Sequence, residues 1–148
     1  MTGNNLILFP TDLSDLSLKA LPWVKQVASS MDARVRCLYV VDLPHLYGSL
    51  DLTSIAAPAA EDIQAQAEKR LQEYIDSRLR VLEDRIEGLV LVGRPADTIV
   101  DHAAESGARM IVMTTHGYSG VKHALLGSTT EAVLRRAPCP VLSVRSID

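Results

Sequence analysis

Chemistry concentrates in one stretch of the chain, MTTHGYSGVKHALLGSTTEAV, from Met113 to Val133. It holds Gly117, Gly120 and Gly127, with the hydroxyl residues Ser128, Thr129 and Thr130 directly after the last glycine. Backbone N–H groups exposed in a glycine-rich loop that leads into a helix make an anion site suited to phosphate. Gly117 and Gly127 would let the backbone come close, while Ser128 and Thr129 could offer hydroxyls and Ser128 would cap the helix that starts there. This is neither a Walker A loop, which needs a GK[ST] ending, nor a G-x-G-x-x-G fingerprint after the first strand. Ser119 fails as a nucleophile-elbow serine because Val121 stands where that motif needs glycine. His116 and His123 have no carboxylate at a metal-binding spacing, and Gly120 reads as a turn glycine. Lys122 could screen a phosphate or belong, with Arg135 and Arg136, to a solvated face.

Other elements must carry that loop. Five short apolar runs recur: Leu6 to Phe9, Cys37 to Val41, Leu89 to Val92, Met110 to Met113 and Val141 to Val144. Unbroken apolarity, rather than alternation, suits strands covered on both faces of a parallel sheet. Helical stripes lie between them. One runs through Leu13, Leu16, Ala20, Val24, Val27 and Met31, with Pro22 kinking it or sitting in its first turn. A second runs from Ile63 to Leu82, a third from Ala96 to Ser106 stopped by Gly107, and a fourth from Ser128 to Arg136, ending near Pro138. The order β-α-β-α-β-α-β-α-β over residues 1–148 predicts a single-domain α/β fold, a doubly wound five-stranded parallel sheet with helices on both faces. Ligands of such sheets collect beyond the carboxyl ends of the strands, where the winding reverses. If the first and fourth strands are neighbours there, Asp12 and the glycine loop face one cleft. Asp12 would then orient a base or a phosphate-bound Mg²⁺, or else simply cap the first helix. The long connection from Asp42 to Pro58 holds His45 and Tyr47, which could lid the cleft or lie in an exposed loop.

Composition narrows the partners. The chain has 148 residues, a formal charge of −3, 47% hydrophobic and 22% charged residues, so neither nucleic acid nor an anionic membrane is its default partner. No apolar run approaches the roughly 20 residues of a membrane span. The two cysteines, Cys37 and Cys139, have no ligand or redox spacing and read as free thiols of a reducing compartment, and the opening MTGNNLILFPTD does not read as a signal peptide. The expected location is the cytoplasm.

With these residues in view, the chain resembles the universal stress protein family over nearly its whole length. The segments FPTDLSDLS, LYVVD, VGRPADTIVDHAAESGARMIVMTTHG and LLGSTTEAVLRRAPCPVLSV carry the resemblance. Nucleotide-binding members have glycine, two residues, glycine, nine residues, then glycine followed by serine or threonine. Here the second and third glycines are Gly117 and Gly127, with Ser128 following, and Thr114 stands at the first. The resemblance implies ATP, possibly with Mg²⁺: adenine by Pro10, Thr11, Asp12 and the backbone of Val40, ribose and phosphates along Met113, Thr114, His116, Gly117, Gly127, Ser128 and Thr129. It also implies a homodimer, formed through the last strand, Val141 to Arg145, whose open edge offers a template for a second strand.

Thr114 decides between readings. If its position needs φ > 0, a β-branched residue costs roughly 1–3 kcal/mol of strain, and every 1.4 kcal/mol is about tenfold in affinity. If the position needs only close approach, the threonine hydroxyl could serve a phosphate. Three functions stay open: a stress regulator binding an adenine nucleotide, a nucleotide-free interaction protein, and an ATP-hydrolysing or adenylyl-transferring enzyme. Against the last, Pro10-Thr11-Asp12-Leu13-Ser14 replaces an SGG-type pyrophosphate loop, and no general base is evident beside the phosphates.

Overall fold

All five apolar runs become parallel strands: β1 (Leu6–Thr11), β2 (Arg34–Val41), β3 (Ile86–Val92), β4 (Met110–Thr114) and β5 (Val141–Val144). The computed structural model describes residues 5–43, 59–116 and 126–146. The sheet order is β3-β2-β1-β4-β5, so β1 is central and buried along its length, and the winding reverses between β1 and β4. Alternation along β1 feeds both faces. Ile7 and Phe9 join one core with Val24 and Ala28 of α1 (Leu21–Met31) and Ile63, Ala67, Leu71 and Ile75 of α2 (Ala60–Arg78). Leu6 and Leu8 join the other with Ile99 and Ala103 of α3 (Pro95–Ser106) and Val133 of α4 (Ser128–Arg136). An uninterrupted apolar strand is thus consumed by two helical layers, the arrangement that parallel sheets demand.

The helical stripes differ from expectation at their ends. The Leu13–Met31 stripe is not one helix: a 3₁₀ segment, Asp15–Ala20, precedes α1, and Pro22 occupies the first turn of α1, where a missing N–H costs nothing. α2 stops at Arg78, and the remaining apolar positions, Leu79 and Leu82, are buried around a second 3₁₀ segment, Arg80–Arg85. Gly107 ends α3 at φ 65°, the left-handed cap that glycine adopts without strain. Among the described residues, no helix is long and apolar enough to cross a membrane. Both cysteines are free; burial pushes the Cys37 thiol up to about 12, which makes it inert, and raises that of Cys139.

At the amino ends of the strands, Arg36 of β2 bridges Glu87 of β3, at 2.8 Å from Nη2, and His102 of α3, at 3.1 Å from Nη1. Arginine can only donate, so Nε2 of His102 accepts and the ring is neutral. Burial, and then the Arg36 charge, hold the His102 pKa below its ordinary value, with Glu105 opposing. The unfolded chain therefore binds the proton first as pH falls, and folding stability declines below about pH 6.5, the ordinary histidine value. Chemical denaturation between pH 7.5 and 5 should show that decline, and His102→Gln should flatten it; an unchanged slope in the variant would assign the decline to other groups.

Candidate functional site

The crevice at the switch point has a covalent cause. β1 pairs with β2 from Leu6↔Arg34 through Thr11↔Tyr39, but with β4 only at Ile7↔Met110 and Leu8↔Ile111. The Arg109 N–H donates to Leu6 O, so the backbone of Leu6 faces β4, and strand alternation puts Leu8 and Pro10 on that same side. Pro10 has no N–H to give. The ladder to β4 stops where its next donor is missing, and the strands part towards their carboxyl ends.

On the β1 lip the chain turns sharply. Leu13 sits at φ 67°, a left-handed conformation costing a non-glycine residue roughly 1–2 kcal/mol. Two side chains hold it there: Thr11 Oγ1 accepts the Leu13 N–H at 2.9 Å, and Asp12 Oδ1 accepts the Ser14 N–H at 3.0 Å together with the Ser14 hydroxyl. Beneath them Ser17 Oγ donates to Ser14 O at 2.7 Å, leaving it to accept from Thr11 Oγ1 at 2.8 Å and from Tyr74 Oη at 2.9 Å. Burial raises the Tyr74 pKa, which keeps that hydroxyl a donor. The exposed Asp12 carboxylate is thus held by Ser14 of its own turn, and a buried hydroxyl network reaching α2 anchors that turn through Thr11 and the Ser14 carbonyl. It does not cap a helix: Ser14 precedes the 3₁₀ segment and makes no side-chain cap bond.

The β4 lip is bound to α4. Gly127, at φ −68° and ψ 157°, is the N-cap, and Ser128 is the first helical residue; the expected Ser128 cap is corrected to Gly127. Sequence favours Ser over Gly as a cap, but here closeness to β4 wins. A Cβ built on Gly127 would meet Thr115 O at 3.1 Å and His116 Cα at 3.6 Å. The Gly127 N–H donates to Thr115 O at 2.7 Å, and Thr130 Oγ1 donates to Thr114 O at 2.8 Å. The helix amino terminus, with the N–H groups of Ser128, Thr129 and Thr130 that no carbonyl of their own helix can reach, is thereby anchored on the end of β4.

Thr114 closes β4 in ordinary strand conformation and is absent from the residues at positive φ, so the strain argument against it is overturned. Its hydroxyl donates to His116 O at 3.0 Å. His116 is 4% exposed, with Nδ1 3.1 Å from Thr115 Oγ1. Met113 is buried in the α3/α4 core and Pro10 is buried in β1, so each offers the crevice chiefly its backbone. Val40 is half-buried in β2, paired with Leu91. Gly117, with Ser119, Gly120, Lys122 and His123, lies outside the described residues, as do His45 and Tyr47.

Four residues that carry this geometry escaped the sequence reading: Thr115, Ser146, Ser17 and Tyr74. Thr115 stood inside the motif, hidden by neighbours with clearer chemistry. Ser146 follows the last strand with no motif around it. The α4 amino terminus, held against the end of β4 by Gly127, fits the phosphate of a ligand, and the Asp12 carboxylate just past β1 fits a cation accompanying it. Among the described residues no group of three or more histidine, cysteine or acidic side chains could hold a metal, so Mg²⁺ would reach this chain through Asp12 and otherwise through phosphate and water. A separate hollow of about 160 Å³, lined by Glu68, Leu71, Gln72, Gly88, Leu89 and Val90, lies at the β3 edge and is smaller than the roughly 300–1,000 Å³ usual for ligand sites.

An open parallel sheet ordered 3-2-1-4-5, with a crevice between an acidic turn and a glycine-entered helix, defines a doubly wound α/β protein with its site at the strand carboxyl ends. Within that class the chain belongs to the Universal stress protein family, whose sequence profile matches residues 4–145. It is 36% identical to universal stress protein MJ0531 of Methanocaldococcus jannaschii, over 97% of this chain and 85% of that protein. It is 30% identical to universal stress protein MJ0577 of the same organism, over 94% and 93%. A universal stress protein solved in complex with cAMP superposes with a TM-score of 0.69 at 26% identity, covering 98% of this chain and 99% of that one.

Proposed function

We propose that this chain is a cytoplasmic stress-response regulator that binds ATP, or a related adenine nucleotide, in the β1–β4 crevice. The carrying observation is the opposition of the Asp12 turn and the α4 amino terminus across a cleft that Pro10 keeps unzipped. The cAMP complex of a relative supports an adenine nucleotide as the ligand class. Phosphates would lie against Gly127, Ser128 and Thr129, where helix N–H groups and the macrodipole favour negative charge. Mg²⁺, when bound with the nucleotide, would neutralise phosphate charge near Asp12.

The reading is one of binding rather than catalysis. Asp12 is engaged by its own turn, and the hydroxyls around Thr115 are bonded to one another, so none is poised as a base on an attacking water. Turnover should stay below about 1 per second, the low end of ordinary enzymes. Mass spectrometry of small molecules released from freshly purified protein, followed by ATP titration calorimetry with Mg²⁺, tests the proposal. Adenine nucleotide release with a micromolar dissociation constant is expected; no binding at millimolar ATP would reject it in favour of a nucleotide-free interaction protein.

A further inference from the structure

Beyond the last strand, Ser146 is buried to 5% exposure, and its hydroxyl and N–H are both spent on the residues just past β4. Its Oγ accepts the His116 N–H at 3.0 Å and lies 3.2 Å from His116 O and 3.3 Å from Thr115 Oγ1. Its own N–H donates to Thr115 Oγ1 at 3.2 Å. Thr115 is also the residue whose carbonyl takes the Gly127 N–H, and whose N–H donates to Val144 O at 2.8 Å. The residue just past β4 therefore holds β5 on one side and the α4 cap on the other, and Ser146 fixes its side chain.

We propose that Ser146 is a positioning residue for the phosphate end of the site, acting through Thr115 and His116 on Gly127 and the amino terminus of α4. The proposal rests on the nucleotide reading for its ligand, but its geometry does not. Among the described residues, Ser146 bonds to Thr115 and His116, and reaches Gly127 and the first turn of α4 through them. What it controls is the orientation of the Thr115 peptide, and so the distance between Gly127 and β4. Removing its hydroxyl deletes the acceptor 3.0 Å from the His116 N–H and a partner of Thr115 Oγ1, which loosens this corner.

The test separates positioning from general destabilisation. In Ser146→Ala, the Gly127 amide, which does not touch Ser146, should exchange with solvent about tenfold faster, while the Leu8 amide of β1 keeps its protection. ATP affinity should fall about tenfold while adenosine, which lacks phosphates, binds within about twofold of wild type. Thr115→Val, which keeps the side-chain shape and deletes the hydroxyl, should reproduce both effects, and it decides the matter if Ser146→Ala also loses Leu8 protection. An unchanged Gly127 amide, or equal losses for ATP and adenosine, would overturn the proposal. If the wild type binds no nucleotide, the functional reading fails, and the Gly127 exchange rate alone still decides the positioning role.

Discussion

Gly127→Val should reduce ATP affinity at least about a hundredfold, roughly 2.8 kcal/mol. The cause is not backbone strain, because φ −68° and ψ 157° are open to any residue. Nor is it a side chain standing in the phosphate path, the reason that sequence alone would suggest. The added Cβ points at β4, 3.1 Å from Thr115 O, closer than ordinary van der Waals contact, and valine adds two further carbons in the same corner. Both contacts are backbone, so the relief available is to move the first turn of α4 away from the strand. That motion stretches the 2.7 Å Gly127–Thr115 bond and displaces the N–H groups that would face phosphate. Gly127→Ala should lie between wild type and valine. Calorimetric titration of folded variants, with far-ultraviolet circular dichroism as the check on folding, measures this; a valine variant binding within about threefold of wild type, under 0.7 kcal/mol, would contradict it.

Ser143→Pro should convert a dimer to a monomer while leaving the fold intact. β5 is an edge strand, bonded to β4 alone. The Ile111 N–H donates to Pro140 O and the Thr115 N–H to Val144 O, so Pro140, Leu142 and Val144 turn their backbones to β4. Alternation then turns Val141 and Ser143 outward, where a second copy could pair antiparallel about a two-fold axis. Proline at Ser143 deletes an outward donor and spares the inward ladder, the position at which edge strands tolerate it. Charges at Leu142 and Val144 would test the interface less cleanly, because both side chains pack against the α1/α2 core of their own chain. Sedimentation equilibrium at tens of micromolar should find wild-type dimer and variant monomer. A monomeric wild type, or a variant that still dimerises, would remove this edge from the assembly.

Strands and layers were legible because burial on both faces writes itself into consecutive residues: the run Leu6 to Phe9, too short for a helix, fits a strand taken up by two cores. Helix faces were legible for the same reason, and Gly107 and Pro22 punctuated them as their backbones require. The ends were not. Leu79 and Leu82 continue the apolar spacing of α2, yet a 3₁₀ turn buries them equally well, so periodicity cannot see where the α-helix stops. At the candidate site, the adjacency of the first and fourth strands was legible, while several local roles were misread. Ser128 has the better capping chemistry, but the space beside Thr115 O is tight for any residue with a Cβ. Thr114 looked strained beside glycine-bearing relatives, although β4 simply ends on it in strand conformation. Ser146 and Tyr74 act over long sequence separations through hydroxyls, and no local pattern announces such contacts.

Pro10 carries a consequence for how any ligand meets this crevice. Most clefts that open by breathing have a shut alternative, and a ligand must give up part of its affinity to populate the open one. Here the N–H that would extend the ladder at Pro10 is absent from the covalent chain, and only the Pro10 carbonyl is left to pair. Closing the gap between the first and fourth strands would therefore gain one hydrogen bond fewer than an ordinary ladder offers, which biases the crevice towards its open form before a ligand arrives.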